Sequence, residues 1–505
     1  MQILNAAQTR AWDEYTMQHE PVASIELMER AAGSCFQWLM RNGFQGKRFV
    51  IFCGKGNNGG DGLALARLLN QSKHAVTVYI LEFGHMGTED FQANLAALHQ
   101  TDTDVKFISA PETIPHLDPN EVIIDALFGS GLSRPLEGLT ALLVKRLNQS
   151  GNTIISVDIP SGLYVDKPTG SNTVVKAKHT LSFQSQKLAF LVGENAAYFG
   201  QVHILDIGLH PNFIEQSISS SSFTWVDKEF AASLYRPRKK FSHKGHYGHA
   251  AIISGSKGMM GATVLCTKAC VRAGAGKVTV HIPSCGHTIM QTSIPEAMCK
   301  IETGDDYLKE ISNLEKYNTI GIGPGMGLHE HFDTMLEALF YQFRKPIVVD
   351  ADALTILSQN SALFKRIPPL SILTPHPKEW ERLFGSITNE FEAIERTIAK
   401  AKEFNIIIVL KGHHTVIGTP AGRTYINSSG NPGLAKGGTG DVLAGMITGL
   451  LAQGYDPEYA AVLGVFLHGY SADLATKLVA EEYLNASDII DHLGYAFLDL
   501  YPKSS

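Results

Sequence analysis

Short, nearly continuous apolar runs recur along the chain, each closed by glycine or an oxygen-bearing side chain and followed by apolar residues at helical spacing. Phe49-Val-Ile-Phe-Cys53 runs into Gly54-Lys-Gly56-Asn-Asn-Gly59-Gly-Asp61-Gly and then Leu63, Ala66 and Leu69. Val76–Leu81, Val122–Asp125 and Thr153–Asp158 repeat the design, as do Ala250–Ser254, Thr319–Gly327, Ile347–Asp350, Ile372–His376 and Ile406–Lys411 later in the chain. Runs of this length without polar alternation are strands covered on both faces, and strand, glycine turn and helix in succession build a parallel sheet. Residues 7–43 carry helix-spaced apolar positions (Ile25, Leu27, Met28, Ala31, Phe36), with Ser24 as a cap, and cover one side of the first sheet. The pattern breaks at Pro211 and runs into Ser219-Ser-Ser-Ser222, the composition of a linker. The expected organisation is two α/β domains, 1–210 and 225–505, joined by 211–224.

Composition narrows the function classes. The 505 residues are 44% hydrophobic and 18% charged, with 47 glycines and a net charge of −6, an ordinary globular profile enriched in the residue that tight strand-to-helix turns require. Arg236-Pro-Arg-Lys-Lys240 is the only basic run, so no nucleic-acid surface is expected. The six cysteines lie in apolar contexts without a Cys-x-x-Cys pair and read as reduced core residues. No apolar run is long enough for a membrane span, and the first residues lack a signal peptide's basic segment and apolar core, so a cytoplasmic protein is expected.

The strand ends carry the chemistry. Gly54-x-Gly56-x-x-Gly59 matches a dinucleotide fingerprint, with Glu82 placed where a ribose-binding acid would sit. Asp61, expected at the helix start, would repel a pyrophosphate, which counts against an ordinary dehydrogenase. In a parallel sheet Asn58, Asp125 and Ser161 would meet in one crevice and could ligate a hard cation, leaving Asp158 free as a base. Each Asp could instead satisfy loop N–H groups. In the second half, Gly430-Asn-Pro-Gly-Leu-Ala-Lys-Gly-Gly-Thr-Gly-Asp441 precedes an apolar helix (Val442, Leu443, Met446, Leu450). Glycines let backbone close on phosphate oxygens, and a helix N-terminus favours anions. Asp441 could deprotonate a hydroxyl that attacks a phosphoryl group, or could simply cap the helix. Asp350, His376 and Lys411 lie at further strand ends, where each could be a satisfied loop residue; Lys411 suits nucleotide phosphates.

Two resemblances follow from these motifs. Leu27-Met-Glu-Arg-Ala31, the Asn-Asn-Gly-Gly-Asp loop, Asp125-Ala-Leu-Phe-Gly129 and Val157-Asp158-Ile-Pro-Ser161-Gly resemble the NAD(P)H-hydrate epimerases across nearly all of residues 1–210. The resemblance implies a Rossmann-like three-layer domain that interconverts R and S NADHX and NADPHX. By it, Asn57, Asn58, Gly59, Gly60, Asp61, Gly129, Ser130, Gly131, Leu132, Ser133, Arg134, Pro135 and Asp158 hold substrate, Asn58, Asp125 and Ser161 hold potassium, and Asp158 is the base. Asn431–Asp441 and the other strand ends resemble the ribokinase-like NAD(P)H-hydrate dehydratases from about residue 225 onward. That implies hydrate contacts from Ala262, Gly325, His376 and Asp441, ADP contacts from Lys411, Gly412, His413, His414, Thr415 and Gly440, and magnesium with the nucleotide. Asp441 would be the base that starts phosphorylation of the S hydrate, with loss of phosphate then restoring the double bond. Lys378 and Thr355 depart from the family pattern, which commonly has Gly and Asn there; Lys378 adds bulk near the substrate loop. A homo-oligomer is expected. The competing readings are a small-molecule kinase of the same fold fused to a nucleotide-binding sensor, and a first half that binds without catalysing.

Overall fold

The computed structural model describes residues 2–82, 84–217 and 223–501. Its backbone divides into two compact units, Gln2–Ser219 with Asn389–Phe391, and Ser220–Thr388 with Glu392–Ser505.

In the N-terminal unit, helices α1 (Ala6–His19) and α2 (Ser24–Arg41) precede strand β1 (Phe49–Cys53), α3 (Asn57–Gln71), β2 (Val76–Leu81), α4 (Glu89–Leu98), β3 (Asp104–Ile108), β4 (Val122–Ala126), α5 (Gly138–Gln149), β5 (Thr153–Val157), β6 (His179–Phe183) and β7 (Gln201–Leu205). The strands form one sheet in the order β3-β2-β1-β4-β5-β6-β7, every pair parallel. The order reverses between β1 and β4, so the turns after these strands diverge and leave a crevice at their carboxyl ends. Strand residues alternate between two buried layers. Ile51 and Cys53 pack with Ala32, Cys35 and Leu69 on one face, while Val50 and Phe52 pack with Leu143 and Leu147 on the other. Each such side chain fully withdrawn from water contributes roughly 1.5–3 kcal/mol, which is why the uninterrupted apolar runs become strands covered on both faces.

Three expectations change in detail. Pro21 lies between α1 and α2, so residues 7–43 form two helices. Ser24 does not cap α2: the cap position is Ala23, whose N–H donates to the Glu26 carboxylate, and Ser24 Oγ donates to Asp90 at 2.6 Å. The expected linker opens with a helix, Asn212–Ser217, because Phe213 is apolar enough to be buried against Trp12. Its residues 218–222, with the serine run 219–222, lie outside the described residues, and Phe223–Val226, at its far end, is a strand.

The C-terminal unit starts with that strand, β8, followed by β9 (His249–Ile253), α6 (Met260–Arg272), β10 (Lys277–Ile282), β11 (Met298–Ile301), β12 (Thr319–Ile322), β13 (Val348–Val349), α7 (Asp352–Gln359), β14 (Ile372–Leu373), α8 (Pro377–Phe384), β15 (Ile407–Leu410), β16 (Val416–Gly418), β17 (Thr424–Asn427), α9 (Thr439–Ala452), α10 (Pro457–Ala475) and α11 (Ala486–Leu500). Strand order is β8-β17-β16-β15-β14-β13-β12-β9-β10-β11. Neighbours are parallel from β15 to β11; β16 is antiparallel to both its neighbours. One face of the sheet (Ile252, Val280, Val348, Ile372, Val409) packs on α6, α9, α10 and α11. The fit of α9 to α6 depends on glycine: a Cβ at Gly445 would lie 2.0 Å from Cys266 O, and one at Gly449 2.7 Å from Cys270 O. That close approach fixes the N-terminus of α9 at the strand ends. Both units are three-layer α/β/α arrangements, as the hydrophobic pattern requires.

Candidate active sites

The turn after β5 is the centre of the first site. Asp158 adopts a left-handed backbone (φ 66°) that a β-carbon disfavours. Its N–H donates to Leu181 O at 2.7 Å, which holds the strained residue against β6. The carboxylate pairs with Lys187 Nζ at 2.9 Å and accepts from Ser130 N–H at 2.8 Å. Lys187 is 1% exposed, and its ammonium also donates to Ser182 Oγ. Burial alone would raise the Asp158 carboxyl, but Lys187 and the Ser130 bonds outweigh it and hold Asp158 below the usual carboxylate range. Asp158 is therefore held ionised and in a fixed orientation.

Asp125 lies deeper and accepts from Ser161 Oγ (2.6 Å), Ser161 N–H (2.9 Å) and Ser156 Oγ (2.7 Å). Burial pushes its carboxyl up even though those bonds pull it down. Asn58 is buried, and among the described residues neither its amide oxygen nor its amide nitrogen has a hydrogen-bond partner. A Cβ built on Gly129 would lie 2.9 Å from Asp158 Oδ2 and 3.3 Å from Asn58, so the three turns converge.

They open on a cleft of about 1120 Å³ lined by Asn57, Asn58, Asp61, the 129–135 loop, Asp158 and one face of α1. Gly59 and Gly60, expected at the substrate, do not line it. Their missing side chains serve packing: a Cβ on Gly59 would lie 1.8 Å from Gly54 O, and one on Gly60 2.6 Å from the Met28 sulfur. Asp61 is also displaced from expectation, because α3 begins at Asn57 and puts Asp61 in the second turn. Burial and then Asp158 raise its carboxyl. Glu82 is bound to the Lys55 ammonium, which also donates to His85 O at 2.6 Å. The ribose-acid position of the dinucleotide reading is thus tied to the glycine loop.

In the second site the decisive element is the start of α9. Gly438, in a left-handed conformation (φ 90°), is the N-cap, and Asp441 is the third helical residue. Asp441 therefore does not cap the helix, and its carboxyl is free for chemistry. Burial, then Asp350 and Asp352, push it up to about 7 against the pull of Lys411. The Asp350 carboxylate accepts from Thr374 Oγ1 at 2.7 Å and from Lys411 Nζ at 3.1 Å; Glu379 Oε2 is 3.9 Å from the same ammonium. Burial alone would lower the Lys411 ammonium, but Asp350 and Glu379 push it up and keep it charged. A Cβ on Gly440 would lie 3.4 Å from Lys411 Nζ, which brings the glycine loop to the end of β15. Ala351, between Asp350 and Asp352, has φ 51°, so strain again marks a strand end bearing carboxylates.

His376 caps α8, its Nδ1 accepting from Lys378 N–H (3.1 Å) and Glu379 N–H (3.2 Å), while Glu379 Oε2 accepts from His376 N–H at 2.8 Å. Lys378 is an exposed residue in ordinary first-turn helix, so replacing glycine there leaves the local backbone unstrained. Thr355 sits inside α7, half-buried. Gly325 (φ 61°) and Ala262 adjoin: a Cβ on the glycine would be 3.1 Å from that of Ala262. Gly412, His413, His414 and Thr415 form the turn from β15 to β16; His414 Nδ1 lies 3.0 Å from Asn427 O, and burial lowers the ring to about 4. Asp473 steadies the glycine loop by accepting from Gly430 N–H and Asn431 Nδ2, each at 2.9 Å.

Residues 250–494 match the family model described as NAD(P)H-hydrate dehydratase, and residues 24–189 match that of the YjeF-related protein N-terminus. The bifunctional NAD(P)H-hydrate repair enzyme of Moorella thermoacetica is 32% identical, covering 99% of this chain and 97% of that protein. The Coxiella burnetii enzyme is 35% identical over 94% of each. The chain belongs to the bifunctional NAD(P)H-hydrate repair enzymes. Its first unit is the epimerase and its second the dehydratase. Bacillus subtilis ADP/ATP-dependent NAD(P)H-hydrate dehydratase, co-crystallised with ATP and Mg²⁺, matches 55% of this chain and 98% of its own, at 32% identity and a TM-score of 0.50. Membership in this family sets aside the dehydrogenase, kinase-and-sensor and non-catalytic readings.

Sequence reasoning missed Lys187 in the epimerase and left Asp350 and Glu379 without roles in the dehydratase. Lys187 had a signal: a lone cation running into Leu188-Ala-Phe190-Leu-Val192, an apolar stretch where a solvated lysine is out of place.

Proposed function

We propose that the epimerase works through the Asp158–Lys187 pair and the dehydratase through Asp441, with Lys411 and the α9 N-terminus facing ADP. What carries the reading is that in each unit a carboxylate at a strand end pairs with a lysine, Asp158 with buried Lys187 and Asp350 with half-buried Lys411, and that Asp441 lies beside the second pair at the start of α9. In the dehydratase, Asp441 takes the proton of the hydrate hydroxyl, whose oxygen then attacks the terminal phosphoryl group of ADP, releasing AMP. The α9 N–H groups and Lys411 stabilise the charge on the transferring group. The phosphate ester departs as inorganic phosphate and the nicotinamide double bond returns. Ala262, Gly325 and His376 border the hydrate, and Gly412 to Thr415 with Gly440 border the nucleotide. The departure of Lys411 from Asp350 toward phosphate oxygens would free that carboxylate. Asp350 and Glu379 would then hold magnesium together with the nucleotide.

Asn58, Asp125 and Ser161 fit a potassium ion: an orphaned amide oxygen, a buried carboxylate with no ion pair among the described residues, and a hydroxyl are hard donors in want of a cation. Bound there, potassium would supply fixed positive charge beside the substrate. Six free cysteines support action in a reducing cytoplasm. The exposed stripe Tyr495, Leu498 and Tyr501 supports self-association.

The test follows nicotinamide absorbance while the chain, ADP and magnesium act on mixed R and S NADHX, beside Asp158→Ala and Asp441→Ala. The wild type should recover both epimers as NADH, Asp158→Ala only the S fraction, and Asp441→Ala neither. Recovery by Asp441→Ala would remove the base assignment.

A further inference from the structure

Asp13 brings a carboxylate to the epimerase cleft from the first helix, beside Asp61 and Asp158. Helix α1 lays Ala6, Thr9, Arg10 and Asp13, spaced three and four residues apart, along the cleft wall. The adjoining face of α1 is pinned: Trp12 stacks on Phe213, Trp12 Nε1 donates to His210 O at 2.8 Å, and His210 N–H donates to Thr16 Oγ1 at 3.0 Å. Asp13 therefore faces the cleft because α1 has no freedom to turn it away. Among the described residues its carboxyl has neither a hydrogen bond nor an ion pair. Asp61 and Asp158 line the same cleft, and the buried lysine beside them is committed to Asp158. A further carboxylate without an ion pair weakens a cleft meant for an anionic dinucleotide, so its presence calls for chemistry.

We infer that Asp13 is a second proton-transfer group of the epimerase, donating to the departing hydrate hydroxyl while Asp158 accepts the proton of the water that replaces it. The inference rests on the epimerase reading of this unit. Water adds to the dihydronicotinamide enamine with its hydroxyl on the carbon bonded to the ring nitrogen, and R and S differ at that carbon. Inversion breaks the C–O bond as Asp13 protonates the oxygen; the electron pair leaves on water, and the nitrogen lone pair forms a C=N bond. A second water attacks the other face, the C=N pair returns to nitrogen, and the attacking water loses its proton to Asp158. Asp13 is left ionised and Asp158 protonated, the state that runs the reverse inversion. The surroundings suit this division. Burial and the Asp158 charge push Asp13 up to about 7 despite Lys187, with Glu14 adding to the rise, whereas Asp158 is held low. The charged groups acting on Asp13 are Asp158, Lys187, Glu14 and Asp61, with Arg10 one turn earlier on α1 and Lys55, Glu82, His85, Arg134 and Glu137 elsewhere on the cleft wall.

The experiment measures exchange between R and S NADHX by epimer-resolving chromatography, without ADP so that the dehydratase is idle, for the full-length wild type, Asp13→Asn and Asp13→Glu. The expected result is a fall in kcat of about 100-fold or more for Asp13→Asn, with KM within about twofold, partial return in Asp13→Glu, and loss of the wild type's alkaline limb near pH 7. Asp13→Asn that keeps most of its kcat, retains that limb, or changes KM alone overturns the inference. Loss of kcat in both variants with the alkaline limb unchanged also overturns it, as a structural effect. A wild type that does not exchange the epimers refutes the epimerase reading itself; exchange by wild type and Asp13→Asn alike refutes only the role of Asp13.

Discussion

Replacing Asp441 by Asn should abolish dehydration and, above neutral pH, stabilise the C-terminal unit. Burial first, then Asp350 and Asp352, raise the Asp441 carboxyl from its ordinary 3.8 to about 7. A group with a raised folded value binds more protons in the native than in the unfolded state, so its contribution is full below about pH 4 and is lost as pH climbs to about 7. At ~1.4 kcal/mol per pH unit, that interval caps the cost of ionising Asp441 in the fold at roughly 4 kcal/mol. Asp441 is only partly buried, and solvent screening brings the expected gain to on the order of 2 kcal/mol. Asparagine keeps the shape and removes the charge. The assay is urea unfolding of the full chain at pH 4, 6 and 8.5, with limited proteolysis reporting each unit separately, since two units need not unfold together. The difference between variant and wild type should be near zero at pH 4, grow through pH 6 and level off above 7. A difference that does not change with pH would refute the reasoning, because the destabilisation would then not come from charge.

Lys187→Met should cut epimer exchange by about 100-fold or more while leaving dehydration of purified S-NADHX unchanged, because it strips the counter-ion from a buried carboxylate; the exchange rate and the acid limb of its pH profile, which should move upward, check this. Asp158 is held low, so its pairing stabilises the fold above the ordinary carboxylate range and is lost as pH falls below it. Gly59→Ala should destabilise the N-terminal unit by about 2–3 kcal/mol or more, since its Cβ would meet Gly54 O at 1.8 Å; a proteolysis-resolved unfolding midpoint equal to the wild type's would contradict the packing role given to this glycine.

Much of the architecture was legible because it depends on short-range signals. Phe49–Cys53 must be a strand with two covered faces, since five successive apolar residues leave no wet side. Gly438 and the run after it had to make a turn and a helix. The boundaries were less legible: α9 starts two residues before Asp441, α3 four before Asp61, and both shifts move a carboxylate away from the cap position. Capping is decided by backbone angles at single residues, which neighbouring contacts set.

The sequence by itself determined that this is a two-part α/β enzyme whose chemistry sits on glycine turns at strand ends, because apolar period, turn residues and motifs are written locally. Only the tertiary structure decided which charges meet. Asp158 finds Lys187, Lys411 finds Asp350 and Glu379, and Asp13 reaches the cleft from the first helix. Sheet order and helix packing choose those partners, and the resulting burial and Coulomb fields set which carboxyls hold a proton near neutral pH.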